Sequence, residues 1–327
     1  MVVVQESVAT LPVEAQLEQY RVELTAYCYR MLGSVEAEDA VQETFIRAWR
    51  GFDRFEGRAA LRSWLYRIAT NVCLDMLEGR KRRARPMDLG PASEPIVENL
   101  RTPEIPWLEP MPDARVVPEG DPAAVAEARE SIRLAFVAAL QHLPPKQRAV
   151  LILREVLRWK ASEVAELLDT TIASVNSALQ RARATLEASN TDATTTAPSV
   201  DAANAELLER YVAAFERYDM EALTSLIHED ATQSMPPFDM WLAGRADILT
   251  WWVGPGAGCR GSRVIPVMAA NGAPAFGQYK PSESGEGYEP WALQVLEIED
   301  GKIVELTFFL DTQTLFPLFG LPLELGA

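Results

Sequence analysis

Apolar residues recur at three- and four-residue spacings through most of residues 17–83, the period of a helix. Leu24, Tyr27, Cys28, Met31 and Leu32 form the first stripe, which Gly33-Ser34 interrupts. A second helix begins near Ala37. At about 100° per residue, Val41, Thr44, Phe45, Ala48, Trp49 and Phe52 share one arc, the expected core side; Asp39, Gln42, Glu43 and Ile46 share the other. After a break from Gly51 to Gly57, Leu61, Trp64, Leu65, Ile68, Val72 and Leu74 set a third helix that Pro86 ends. Nine prolines fall within residues 86–122, a density that no helix or sheet survives. Yet Ile105-Pro106-Trp107-Leu108-Glu109-Pro110 holds a large aromatic and two aliphatics that a purely flexible linker has no use for, so this stretch is expected to dock.

Residues 123–188 are again helical, divided by Pro144-Pro145 and by Asp169-Thr170-Thr171. Residues 189–202 are polar, rich in Thr, Ala and Ser, and free of aromatics, as in a domain linker. From Asn204 helical patterns cover roughly 204–217, 219–228 and 244–252, and strand-like runs follow near 263–270, 274–280, 291–299 and 302–310. Asp300-Gly301 between two apolar runs predicts a hairpin. The predicted organisation is an N-terminal tail (1–16), a helical domain (17–86), a Pro-rich acidic linker (87–125), a second helical domain (126–189), a linker (190–203) and an α+β domain (204–327). The fold class is thus multidomain, two all-α domains followed by an α+β one.

Composition changes one part of this picture. The net charge is −16, but residues 190–327 carry −13 of it, with 7 Lys/Arg against 20 Asp/Glu. Residues 17–86 hold 13 basic and 10 acidic residues, and residues 126–189 hold 9 and 7. Two mildly basic helical domains suit a polyphosphate partner, and the acidic remainder opposes one. Cys28, Cys73 and Cys259 are far apart and share no metal-ligand spacing; they read as small apolar residues of a reduced compartment, with no metal and no cofactor expected. No apolar run has the length of a bilayer span, and residues 1–15 contain Glu6 and Glu14 but no basic residue, unlike a secretory signal. A cytoplasmic protein without membrane contact is expected.

The candidate chemistry lies on helix faces. Asp39, Gln42 and Glu43 are helical neighbours and form a carboxylate–amide patch suited to an Arg-bearing protein surface. Downstream, Arg58, Arg62, Tyr66, Arg67 and Asn71 precede Arg80-Lys81-Arg82-Arg83, mixing aromatic and basic residues as single-stranded DNA requires: cations for phosphates, rings for bases, an amide for a base edge. A core role for Trp64, Leu65 and Ile68, and a merely solvated face for the arginines, fit the same spacing. Between residues 163 and 186, two helices flank a short turn, the spacing of a helix-turn-helix. Val175, Leu179, Ala182 and Leu186 mark its core face, and Asn176, Ser177, Gln180 and Arg181 its outer one, where Asn and Gln suit adenine edges and Arg guanine or phosphate. In the last domain, Asp230, Asp239, Trp241 and Arg245, with His228, are candidate pocket residues, but no paired base and electrophile emerges and no catalytic residue is assigned.

Asp39 to Trp49 closely resembles region 2.2 of bacterial sigma factors. Phe55-Glu56-Gly57-Arg58 and Arg62 through Asn71 look like regions 2.3 and 2.4 of the extracytoplasmic-function group, and Leu143-Pro144-Pro145 through Leu186 resembles region 4. Residues 204–327 look like a SnoaL-like (NTF2-like) cone, through His228-Glu229-Asp230-Ala231, Met235-Pro236-Pro237, Trp241 and Gly244-Arg245; sigma factors of the sigma-G and sigma-J type carry such an extension. The resemblance implies a non-enzymatic promoter-specificity subunit. Its Asp39, Gln42 and Glu43 would grip core RNA polymerase at the clamp of the largest subunit, with a further polymerase contact at the flap. Arg58 to Arg83 would open and hold the −10 element, with Asn71 on an extruded base, and Asn176 to Arg181 would read the −35 element. Trp107, Leu108 and Pro110 resemble that subgroup's linker and would mediate intramolecular contact with its C-terminal domain. The fused domain makes a separate anti-sigma protein less necessary. Two departures are Asp169 and Lys160, where the family often has Gly at the turn and Ser or Thr as helix cap. An enzyme targeted to DNA, or a ligand-responsive regulator using the NTF2-like pocket, are the alternatives.

Overall fold

The first apolar stripes fold largely as their spacing predicts. Val13–Glu18 (α1), Arg21–Leu32 (α2), Ala37–Gly51 (α3) and Leu61–Leu77 (α4) form a first helical half whose core includes Leu24, Tyr27, Met31, Val41, Phe45, Leu65 and Val72. Tyr27 and Tyr66 meet edge to face at 5.1 Å, and the Tyr27 hydroxyl shares a 2.7 Å hydrogen bond with Thr70 Oγ1. Cys28 and Cys73 are buried here as free thiols. One expected core residue is misplaced: Trp49 is 59% exposed. It stands about 80° round the helix from Val41, at the flank of the arc, where the apolar stripe has drifted away from the core.

In the computed structural model, which describes residues 12–55, 60–188, 202–282 and 285–326, the chain divides into two units, and the division cuts the Pro-rich segment. The described residues up to Arg83 join those from Leu108 to Ala188; Ala84–Trp107 belongs with the described residues from Ala202 onward. The sequence predicts one linker over 87–125, whereas its parts fold into different units.

In the first unit, Leu108, Met111 and Val116 are buried, Asp113–Val116 (α5) packs on α2, and the Glu109 N–H donates to Gly33 O. Then follow Pro122–Glu130 (α6), Leu134–Gln141 (α7), Pro145–Leu151 (α8, continued by a π turn over Ile152–Val156), Ala161–Leu167 (α9) and Ile172–Ala188 (α10). Asp121 caps α6 through its side chain, and Pro122 occupies the first helical position. Val175, Leu179 and Ala182 are buried as expected; Leu186 is only half-buried.

The second unit contains Ala202–Glu216 (α11), Met220–Leu226 (α12), Ile227–Ser234 (β1), Trp241–Ala243 (β2), Arg245–Val253 (α13), Arg263–Ala270 (β3), Ala273–Pro281 (β4), Tyr288–Glu299 (β5), Lys302–Phe309 (β6) and Thr312–Leu318 (α14). The sheet runs β2-β1-β6-β5-β4-β3; only β1 and β6 pair in parallel. The β5–β6 hairpin turns at Asp300-Gly301 with φ of 48° and 70°, left-handed at both positions. His228, expected at a helix end or in a pocket, and Asp230, expected in a pocket, lie in β1 and are exposed. A register shift between Ile227 and Thr232 removes the alternation that marks a strand in sequence, so only pairing with distant β6 and with β2 defines it.

Candidate nucleic-acid interface

On α3, Asp39 and Gln42 are exposed and Glu43 is half-exposed. Glu43 accepts from Arg47 Nε at 2.7 Å, and Arg47 also pairs with Asp75 of α4 at 3.1 Å. The patch therefore carries a cation within it. Exposed Trp49 stands one and two turns further along, beside Ile46 and Gln42, and gives this face an apolar anchor. Sequence periodicity hid Trp49 by assigning it to the core; an aromatic at the flank of a core arc, next to a polar patch, is the signal that points to it.

The basic and aromatic residues of α4 are already engaged. Tyr66 is fully buried, and its ring lies 5.1 Å from that of Trp159, which joins the π turn to α9. Burial pushes the Tyr66 phenol well above its ordinary range. Arg62 pairs with Glu23 at 2.9 Å and lies over both rings, 5.1 Å from Tyr66 and 5.6 Å from Trp159. Arg67 Nη2 donates to Glu166 O of α9 at 2.7 Å. Arg80 and Arg83 pair with Glu36 at 2.8 and 2.7 Å, and Arg82 Nη1 lies 2.6 Å from His142 Nδ1. Asn71 and Lys81 are exposed; Arg58 lies outside the described residues. Trp64 is half-buried and stacks on Phe55 at 4.9 Å, with Phe52 6.3 Å away, so it joins an aromatic cluster and not the centre of the core.

Two buried guanidiniums hold the helical halves together. Arg30 donates to Ser131 O at 3.0 Å and to Ser131 Oγ at 2.6 Å. Arg148, on α8, donates to Met31 O of α2, to Gln141 Oε1 at 2.6 Å and to Leu143 O at 3.1 Å. Burial lowers both from the usual arginine range to about 10; both remain cationic at neutral pH.

On α10, Asn176, Gln180 and Arg181 are exposed and Ser177 is half-buried, with Arg181 Nη1 donating to Ser177 Oγ at 2.9 Å. The turn before it places Asp169 at φ 50°, the left-handed conformation that a glycine would adopt freely. At Lys160 no side-chain cap forms, but Glu163 Oε2 accepts the Lys160 N–H at 2.6 Å and supplies half of a capping box. Thr171 Oγ1 caps α10 by accepting from Ser174 N at 3.1 Å.

In the second unit the linker segment is built into the domain. The Ala84 N–H donates to Pro106 O at 3.2 Å, closing a loop whose ends pair at Ala84 and Trp107. The Ser93 N–H donates to Trp241 O at 2.8 Å, Trp241 Nε1 to Gly90 O at 2.9 Å, and the Asp239 N–H to Arg101 O at 2.9 Å, while Leu100 packs on the domain core. Asp239 and Trp241, expected in a pocket, thus hold the linker. Arg245 Nη1 donates to Ile227 O, and Asp230 is exposed. A cavity does exist here, but none of these four residues is among those lining it. Asp239 and Trp241 are taken up by the linker, Arg245 by Ile227 O, and Asp230 faces solvent. Among the described residues no cluster of His, Cys, Asp or Glu could hold a metal ion.

Residues 17–83 match Sigma-70 region 2, residues 133–186 match Sigma-70 region 4, and residues 208–306 match the SnoaL-like domain. The ECF RNA polymerase sigma factor SigG of Mycobacterium tuberculosis is 47% identical over 313 residues, which cover 94% of this chain and 83% of that protein. The chain belongs to the extracytoplasmic-function sigma factors. SigJ of the same organism is 30% identical over 224 residues, 67% of this chain and 63% of that one. The crystal structure of SigJ superposes with a TM-score of 0.59 at 23% identity, covering 95% of this chain and 99% of it, and so shares the fold. In this sigma factor, then, part of region 2 lies under its own region 4: Tyr66 and Arg62 against Trp159, Arg67 bonded to Glu166.

Proposed function

We propose that this sigma factor docks on core RNA polymerase through the exposed α3 face of Asp39, Gln42, Glu43 and Trp49, at the clamp of the largest subunit, with a further contact at the flap. Arg58, Arg62, Tyr66, Arg67, Asn71 and Arg80 to Arg83 then hold the opened −10 element, and Asn176, Ser177, Gln180 and Arg181 read the −35 duplex. The observation that carries this reading is the covered α4 face: a ring and two cations suited to unstacked bases and phosphates are occupied by Trp159, Glu23 and Glu166. The free chain is a closed form. Core polymerase, by engaging α3 and separating the halves, converts it to one that binds promoter DNA, a shift of population that differential affinity for the open form drives. Its place of action is the cytoplasm, where polymerase is; no helix of the described residues is long and apolar enough to cross a membrane.

The linker residues Trp107, Leu108 and Pro110 straddle the division between the two units. Through them the C-terminal domain acts on the helical half as an intramolecular regulator. Run-off transcription with purified core polymerase tests the whole reading: transcripts require both chain and core. The double substitution Asp39→Arg with Glu43→Arg weakens holoenzyme assembly at least about tenfold. Assembly that survives this charge reversal overturns the proposal.

A further inference from the structure

α10 opens on a large apolar residue that the core does not take up. Ile172 is 50% exposed, and among the described residues of this helix it is the one large apolar side chain left in solvent. The helix first reaches the core at Val175, which is fully buried, so Ile172 stands ahead of that contact at the flank of the apolar arc. At about 100° per residue it shares an arc of about 80° with Asn176 and Gln180, four and eight positions on, both exposed. The other polar side chains of this stretch are engaged. Thr171 Oγ1 accepts the Ser174 N–H at 3.1 Å and bonds Ser174 Oγ at 3.0 Å. Arg181 Nη1 donates to Ser177 Oγ at 2.9 Å, and Arg183 pairs with Glu155 at 2.6 Å. The arc therefore presents one branched apolar side chain followed by two amides.

A single exposed isoleucine is ordinary on a protein surface. The place of this one gives it a chemistry. In a helix-turn-helix, the first turn of the second helix meets base edges in the major groove. Thymine alone presents a methyl group there, and an apolar side chain reads it by taking it out of water, while Asn and Gln read adenine in the same groove. Members of the arc four residues apart are separated by about 6 Å along the helix, close to two base pairs at about 3.4 Å each. We propose that Ile172 reads a thymine of the −35 duplex through its 5-methyl group, about two base pairs from the pair that Asn176 reads. The inference rests on the proposed −35 reading by α10. It extends that reading to a residue outside the hydrogen-bonding set and to a discrimination that amides do not make.

Holoenzyme assembled from the full chain and purified core polymerase is used to enrich duplexes randomised over the −35 element. Each thymine of the enriched site is then replaced in turn by deoxyuridine, which removes the methyl group and keeps every hydrogen-bonding edge. Competition binding at one fixed salt concentration is expected to show one thymine whose replacement weakens binding about fourfold, the effect of burying one methyl group. Ile172→Ala loses about the same factor on the thymine site and binds the thymine and uracil duplexes equally. Ile172→Val keeps a branched apolar side chain and restores most of the discrimination. Asn176→Ala relaxes the preference for adenine at a neighbouring pair and retains the methyl effect; the same adenine preference persisting in Ile172→Ala shows that α10 is intact in that variant. An enriched site with no methyl-sensitive thymine, or thymine–uracil discrimination that survives in Ile172→Ala, overturns this inference and leaves the −35 reading in place. Absence of any enriched sequence overturns both.

Discussion

Glu36 stands at the point where one carboxylate decides what two arginines do. It accepts from Arg80 and Arg83, and Arg83 also reaches Glu109 at 3.4 Å. Partial burial raises the Glu36 pKa, and the hydrogen bonds from Arg80 and Arg83 outweigh it, so the carboxyl titrates below its ordinary value. A depressed carboxyl contributes stability that is present above its unfolded pKa and lost as pH falls through the folded one, so the clamp is fully formed at neutral pH and opens only in acid. Glu36→Gln removes the charge at neutral pH. We expect it to release Arg80 and to leave Arg83 on Glu109, raising affinity for duplex DNA and steepening the dependence of log K on log salt by about 1. Fluorescence anisotropy across a salt series measures this slope; an unchanged slope means that Arg80 does not reach phosphate. The exposed pairs around them contribute little to stability, and their importance lies in which partner they occupy.

At the scale of elements, the helix-turn-helix depends on Asp169 holding a left-handed backbone between α9 and α10. Asp169→Gly removes that strain and is expected to raise stability by about 0.5 kcal/mol, while Asp169→Ala lowers it by about 1 kcal/mol. Urea unfolding of the two variants gives opposite signs if the turn is as described. This turn was legible in the sequence, as were α2 to α4, α8 to α10 and the four strands from β3 onward, because each repeats a local period or ends at a residue with a backbone preference. What was hidden shares a different cause. β1 has three successive exposed residues and a shifted register, so its identity comes from distant β6. Trp49 obeys the period yet sits where the core ends. Trp159 carries no local mark of its role, which exists only once α8 and α9 meet α4. Helix faces were therefore readable, but what each face meets was not: the basic and aromatic run of α4 was visible, and its cover by Trp159 and Glu166 was not. The pocket expectation failed for the same reason, since Asp239 and Trp241 meet a segment more than a hundred residues away in sequence.

For the whole molecule, the divided linker sets a length. The names of the −10 and −35 elements place them about 25 base pairs apart, or about 85 Å along B-form DNA at 3.4 Å per pair. In the closed form the two helical halves touch, so reading both elements requires the chain between them to extend. Residues 84–125 fully extended would span about 140 Å, but with Ala84 and Trp107 paired the first part adds almost nothing, and residues 108–125 reach at most about 60 Å, only once α5 leaves α2 and the start of α6 unwinds. The halves themselves cover part of the gap, so the held tether suits a fixed promoter spacing and tolerates little extension, whereas the released one tolerates more. Leu100→Glu with Trp241→Ala removes the apolar anchor and the indole bond to Gly90. In holoenzyme run-off assays this variant should lose less activity than the parent when the spacer is lengthened by about 3 base pairs, an added 10 Å. Trypsin supplies the control, since cleavage after Arg101 accelerates only if the segment has left the domain. Accelerated cleavage with the same spacer preference in both proteins would show that tether length does not limit promoter choice, and would leave the linker a role in coupling alone.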